Sequence, residues 1–92
     1  MELMWTSKAL SDLSRVYDFL AFSNPAAAAR VVQTLTQAPI TLLAKNPRMG
    51  EQLFQFMPHE VRRMVVTDYE IRYEIIDSAI YILRIWHTRE DR

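Results

Sequence analysis

At NPRMG, Asn46 to Gly50, the hydrophobic period of the chain changes. Before this stretch apolar residues recur every three or four positions, as on one face of a helix; after it they alternate with polar ones, as on one face of a strand. The same stretch holds both Pro47 and the chain's single glycine, Gly50, the punctuation expected between two kinds of regular structure. A chain of this kind is α+β, with helices and strands segregated along the sequence.

Three strands are expected after the switch, at about Glu60 to Thr67, Glu70 to Asp77 and Ala79 to His87, with tight turns at Thr67-Asp68 and Asp77-Ser78. The middle one is the clearest: Ile71, Tyr73 and Ile75 alternate with Glu70, Arg72 and Glu74. Strict alternation in the last strand puts Trp86 on the side of Ile80, Ile82 and Arg84, opposite Tyr81, Leu83, Ile85 and His87. Trp86 is then either a core residue under the helices or an anchor on an interaction surface. Leu53 to Met57 is open between a short strand and an extended link.

Before the switch, Glu2 to Trp5 reads as a first strand ending at Thr6-Ser7, either of which can cap a helix. From Lys8 to about Phe22, Ala9, Leu10, Leu13, Val16, Tyr17 and Leu20 form one apolar stripe, with Asp12, Arg15 and Asp18 elsewhere on the wheel. Asn24-Pro25 is an N-cap followed by proline at the first helical position. Ala28, Val31, Val32, Leu35, Leu42 and Leu43 supply the apolar face of this second helix, which Pro39 is expected to kink or interrupt. A very short link makes the two helices an antiparallel hairpin, packed on one face of a mainly antiparallel sheet. Residues 1–92 are read as one domain, since a chain this long buries about 60–65% of its unfolded surface in one core.

Composition removes several classes of function. Without cysteine there is no disulfide framework and no thiolate ligand or nucleophile. Only His59 and His87 are available as imidazole ligands, so no metal site is expected, and with one glycine no phosphate-cradling loop and no cofactor. Ser78, His87 and Asp91 make a triad only on paper, because no nucleophile-elbow motif accompanies them. The formal charge is zero at pH 7, which argues against strong direct binding of nucleic acid. No apolar run is long enough for a membrane span and the start lacks a basic leader, so the chain is expected to be soluble and cytoplasmic. Its cations are nonetheless unusual, nine Arg against Lys8 and Lys45, and guanidinium suits planar contacts with carboxylate or phosphate. Arg84, Trp86, His87, Arg89 and Arg92 gather these cations and an aromatic near the end, the expected working surface. The bland alternative is that Arg62, Arg63, Arg72 and Arg84 form cross-strand ion pairs with Glu70 and Glu74.

The order strand, helix, helix, strand meander resembles the RelE/ParE superfamily of type II toxin–antitoxin toxins over nearly the whole chain. The resemblance is carried by Trp5 leading into SKALSDLSRVYDFL, by NPRMG, VRRMVV and DYEIRYEI, and by the ending ILRIWHTREDR. Within the superfamily, RelE-like ribosome-dependent messenger ribonucleases carry basic residues on the first meander strand, an arginine on the next, and a terminal arginine followed by tyrosine. Arg62 or Arg63 matches the first and Arg89 the terminal arginine. Glu70, however, follows Tyr69 where an arginine would stand, no tyrosine follows Arg89, and His87 is followed by Thr88 where a related branch has a His-Tyr pair. The ending WHTREDR looks more like the ParE branch, whose members are not nucleases and poison DNA gyrase. The resemblance thus implies a toxin without catalytic residues, neutralised by a cognate antitoxin whose disordered segment folds on it. Its target-binding segment would be Arg84, Trp86, His87, Thr88 and Arg89, with Arg62 and Arg63 as supporting cations. A RelE-like messenger endoribonuclease is the alternative.

Overall fold

The computed structural model describes residues 1–90, so Asp91 and Arg92, and with them the expectations placed on those two residues, lie outside the described residues. Strand β1 (Glu2–Trp5) leads directly into helix α1 (Ser7–Ala21), and a short link precedes helix α2 (Pro25–Lys45). Both starts are capped as the sequence suggests. Thr6 Oγ1 accepts the Ala9 amide hydrogen at 3.1 Å, and Asn24 Oδ1 accepts that of Ala27 at 3.1 Å. Helix α2 runs through Pro39, so of the expected kink or interruption the interruption does not occur. Pro39 is fully buried, and that packing offsets the backbone hydrogen bond its ring removes.

Strands β2 (Glu51–Gln52), β3 (Glu60–Val66), β4 (Tyr69–Ile76) and β5 (Ala79–His87) follow. A 3-10 turn at Phe54–Phe56 stands where a strand or an extended link was open, and the short strand lies just before it. The sheet order is β1-β5-β4-β3-β2, with β1 parallel to β5 and every other pairing antiparallel. The fold is α+β, as the change of period implied. Both β-turns begin with a residue at positive φ, Thr67 and Asp77, each at 53°. Aspartate tolerates this region better than a β-branched threonine does.

One face of the sheet carries the core. Ile71, Tyr73, Ile80, Ile82 and Ile85 pack there against Ala9 and Val16 of α1 and Leu35 and Leu43 of α2. The apolar stripes are narrower than the helical wheel suggests: Leu10, Tyr17 and Leu42 are exposed, while Asp12, expected elsewhere on the wheel than the stripe, is 5% exposed. Asp12 stands three residues after Ala9 and four before Val16, both buried, so it lies within the buried stripe.

The largest departure from the expected pattern is in β5. Partners across β4 and β5 run Tyr69–His87, Glu70–Trp86, Ile71–Ile85 and Arg72–Arg84, and then jump to Tyr73–Ile82. Leu83 is the extra residue of a β-bulge. A single inserted residue exchanges the two faces for everything beyond it. Ile80, Ile82, Ile85 and His87 therefore share the helix-covered face, whereas Tyr81, Arg84 and Trp86 share the other one. This overturns the grouping of Arg84 and Trp86 with Ile80 and Ile82.

Candidate functional site

On the open face of the sheet, Trp86 lies between two guanidinium groups. Arg72 sits 4.6 Å and Arg84 4.9 Å from the centre of its ring, and Arg72 is also 5.4 Å from that of Phe56 in the 3-10 turn. The stacked cations and aromatics cover a surface that no helix covers, and each such contact is worth about 0.5–2 kcal/mol depending on its desolvation. Trp86 is 8% exposed, so it is buried beneath cationic side chains rather than beneath helices.

The guanidinium groups are also held at their edges. Arg84 forks onto Asp12, Nε to Oδ2 at 2.7 Å and Nη2 to Oδ1 at 3.2 Å. Asp12 Oδ2 in addition accepts the Ile85 amide hydrogen at 2.9 Å. Burial pushes the Asp12 carboxyl up, but the Arg84 hydrogen bonds, the Ile85 amide and the charges of Arg84 and Arg15 outweigh it, so its pKa lies below the ordinary value. Buried Glu70 takes Arg63 at 3.2 Å and Arg72 at 3.2 Å on its two oxygens. Arg63 reaches Glu51 as well, at 2.8 Å. Arg62 lies on the opposite face of β3, bound to Glu60 at 2.9 Å and to the Gly50 carbonyl at 2.7 Å. The cross-strand pairing anticipated with Glu70 thus holds for Arg63, whereas Arg72 meets Glu70 within β4. Glu74 pairs instead with His59 at 3.0 Å, and Arg62 and Arg84 have other carboxylates.

The expected target-binding segment is split by the sheet. Arg84 and Trp86 are on the open face. His87 points the other way, edge-on to Tyr69 with ring centres 5.1 Å apart. Its Nδ1 accepts the Arg89 amide hydrogen at 3.1 Å, which leaves Nε2 to carry the proton of the neutral ring. Thr88 donates its amide hydrogen to the Asp68 carbonyl at 2.8 Å and Glu90 its own to the His87 carbonyl at 2.9 Å, fixing the turn that ends β5. His87, Arg89 and Glu90 line a groove of about 490 Å³ with Arg15, Val16, Phe19 and Tyr69. Arg89 has no ion pair among the described residues.

Arg72, Phe56 and Asp12 belong to this arrangement, although none of them was expected at the working surface. For Arg72 the signal was present in the alternation of β4, which places it beside Glu70. For Asp12 it was the interval to Ala9 and Val16. Phe56 carried none, because a short 3-10 turn has no periodicity to read. Among the described residues no cluster of three His or carboxylate side chains could hold a metal ion, and no helix is long and apolar enough to cross a membrane.

Chemically, the arrangement offers an aromatic–cationic surface whose guanidinium groups are already engaged. Arg62, Arg63, Arg72 and Arg84 all engage carboxylates, so binding a phosphate would require separating pairs that are already formed.

Similar proteins carry the same architecture. Residues 3–92 match the family described as the ParE toxin of the type II toxin–antitoxin system parDE. Toxin RelE2 of Caulobacter vibrioides is 34% identical over 87 residues, covering 95% of this chain and 94% of the relative. Toxin RelE1 of the same organism is 29% identical over 85 residues, covering 92% and 90%. A chain from the structure of a chromosomal ParDE system of P. aeruginosa superposes with a TM-score of 0.76 at 27% identity, covering 95% of both chains. The chain belongs to the ParE toxin family, within the RelE/ParE superfamily of type II toxin–antitoxin toxins, and as such a toxin it has a cognate antitoxin for a partner.

Proposed function

We propose that this toxin acts by binding and not by bond chemistry, with DNA gyrase as its target, and that it blocks replication by favouring a cleaved DNA–gyrase state. Such a ligand shifts its target only by differential affinity for that state. The observation that carries the reading is the commitment of the cations: Arg62, Arg63 and Arg84 are each bound to carboxylates, and His87 Nδ1 is taken up by the Arg89 amide. A phosphodiester-cleaving site needs cations aimed at the developing phosphorane charge and an acid–base pair beside them. Here the histidine and the stacked arginines lie on opposite faces of the sheet. As a binding surface the same residues are well suited, since Trp and Arg held rigid in advance are the commonest interface hot spots. The gyrase target is the one that membership of the ParE branch implies.

The RelE names of the two Caulobacter relatives make ribosome-dependent messenger cleavage the competing outcome. The experiment pairs a gyrase supercoiling and DNA-cleavage assay with ribosome-dependent cleavage of a messenger, using toxin released from its antitoxin complex and its His87→Asn variant. Lost supercoiling with accumulated cleaved DNA and intact messenger is expected, and His87→Asn should lower inhibition only a few-fold. Messenger cleavage with gyrase untouched, reduced about 10²–10⁴-fold by His87→Asn, would refute the binding mechanism.

A further inference from the structure

Among the described residues the outer edge of β5 has no neighbouring strand beyond Ile82, because β1 pairs only with Ala79–Ile82. Side chains take the place of the missing strand. Thr6 Oγ1 donates to the Ile82 carbonyl at 2.8 Å, with the Leu83 carbonyl at 3.2 Å. Asp12 accepts the Ile85 amide hydrogen, Arg15 Nη2 donates to the Ile85 carbonyl at 3.2 Å, and Glu90 Oε1 accepts the His87 amide hydrogen at 3.2 Å. These side chains are linked to one another. Arg15 lies 3.6 Å from Asp12 and 2.8 Å from Glu90, and Asp12 holds Arg84.

The Leu83 bulge sits inside this frame, and the face on which Arg84 and Trp86 emerge depends on it. Without the extra residue, alternation would carry Ile85 to the open face and turn Arg84 and Trp86 towards the helices. A bulge leaves the ladder locally broken, so something must fix the strand beyond it. Asp12 bonds to both residues that follow the bulge, through the side chain of Arg84 and the backbone of Ile85. Both of its oxygens are taken up, by Arg84 and by the Ile85 amide, so its carboxylate acts through them and not on a target. The Asp12 end of this pair is buried while Arg84 is 37% exposed; a buried charge is rarely chosen by stability alone, and fixing one register over another is its better-attested use.

We infer that Asp12 is the positioning residue of the target-binding segment: by holding Arg84 and the Ile85 amide it fixes the Leu83 bulge and thereby presents Arg84 and Trp86 on the open face. This rests on the reading that Arg84 and Trp86 contact the target. The consequence is specific. Asp12 acts only through Arg84 and the strand beyond the bulge, so its loss and the loss of Arg84 must overlap rather than accumulate.

The test compares Asp12→Asn, Arg84→Gln, their combination and Trp86→Leu, each purified as the antitoxin complex and then released. Inhibition is read in whichever target assay the wild-type toxin gives a signal, alongside circular dichroism, antitoxin binding and amide hydrogen exchange at Ile85. Asp12→Asn is expected to stay folded and bind antitoxin, to exchange faster at Ile85, and to lose inhibition by about tenfold or more, the equivalent of one charged hydrogen bond. The double variant should be no weaker than the worse single one. Full inhibition by Asp12→Asn with Arg84→Gln impaired would overturn the positioning role alone, as would losses that multiply in the double variant. Full inhibition by both Arg84→Gln and Trp86→Leu would overturn the target-binding reading on which it rests. Should Asp12→Asn not fold, Asp12→Glu keeps the charge and moves the carboxylate by one methylene; undiminished inhibition and unchanged Ile85 exchange in that variant would equally overturn the proposal.

Discussion

Tyr73 shows how a single polar atom organises the helix-covered face. Its side chain is fully buried among the isoleucines of β4 and β5, yet its hydroxyl has two partners, donating to the Pro47 carbonyl at 2.8 Å and accepting the Gly50 amide hydrogen at 3.0 Å. Burial raises its pKa above the ordinary phenol value, with the Gly50 hydrogen bond acting the other way. The NPRMG turn is thus pinned to the centre of the sheet. Gly50 has a steric reason for being glycine: a Cβ there would come within 2.6 Å of both the Arg63 carbonyl and the Tyr73 hydroxyl. Removing that hydroxyl leaves the Gly50 amide buried without its acceptor, at a cost of about 1–3 kcal/mol. Tyr73→Phe should therefore lower the urea midpoint at unchanged slope, and a midpoint equal to the wild type would show that water replaces the lost bond. The alternation of β4 places Tyr73 on the core face from sequence alone. Its partners do not follow from the sequence, because they lie 23 and 26 residues away and only the folded turn brings them close.

At the scale of elements, strands and helices were legible wherever the periodic signal ran long enough to dominate local accidents. The alternation of β4, the Asn24-Pro25 start of α2 and the cap at Thr6 all stand where residue types placed them. The bulge was not legible, because Leu83 is as apolar as its neighbours and nothing in residue type marks it as the unpaired one. Trp86 consequently moved to the opposite face, and the expected site was divided. Strand β2, only Glu51–Gln52, is too short to show a period, and Pro39 continues a helix because tertiary packing outweighs propensity. The cap at Thr6 joins these scales. The one hydroxyl accepts from Ala9 and donates to the β5 carbonyls, so it ties the start of α1 to the edge of the sheet, whereas the Asn24 cap is exposed and purely local. Thr6→Ala should cost towards the upper end of the about 0.5–2 kcal/mol range of cap replacements, and Asn24→Ala towards the lower. Denaturation of the two variants side by side checks the order, and equal losses would remove the coupling assigned to Thr6.

The whole molecule balances charge locally as well as in total. Its formal charge is zero, and carboxylates set among guanidinium groups tie α1 to β5, the NPRMG turn to β3, and β3 to β4. This arrangement has a pH signature whose sign is fixed by the carboxylates. Asp12 and Glu90 feel burial first, which raises them, but the guanidinium and amide donors around each more than reverse it. Glu60 is lowered chiefly by its hydrogen bond to Arg48. A carboxyl depressed in the folded state contributes stability that is present in full above its unfolded value, about 4, and is lost as the pH falls through the lower folded value. Glu60 owes its shift chiefly to Arg48, which is 55% exposed, so solvent screening reduces its share, while Asp12 is the most deeply buried of the three. Urea midpoints should therefore hold level from neutrality down to about pH 5 and fall steeply below about pH 4. Asp12→Asn removes the most deeply buried of these titrating groups, so its acid slope should be shallower than that of the wild type. An equally steep slope in Asp12→Asn would place the acid sensitivity on other carboxylates and leave the tie between α1 and β5 independent of charge.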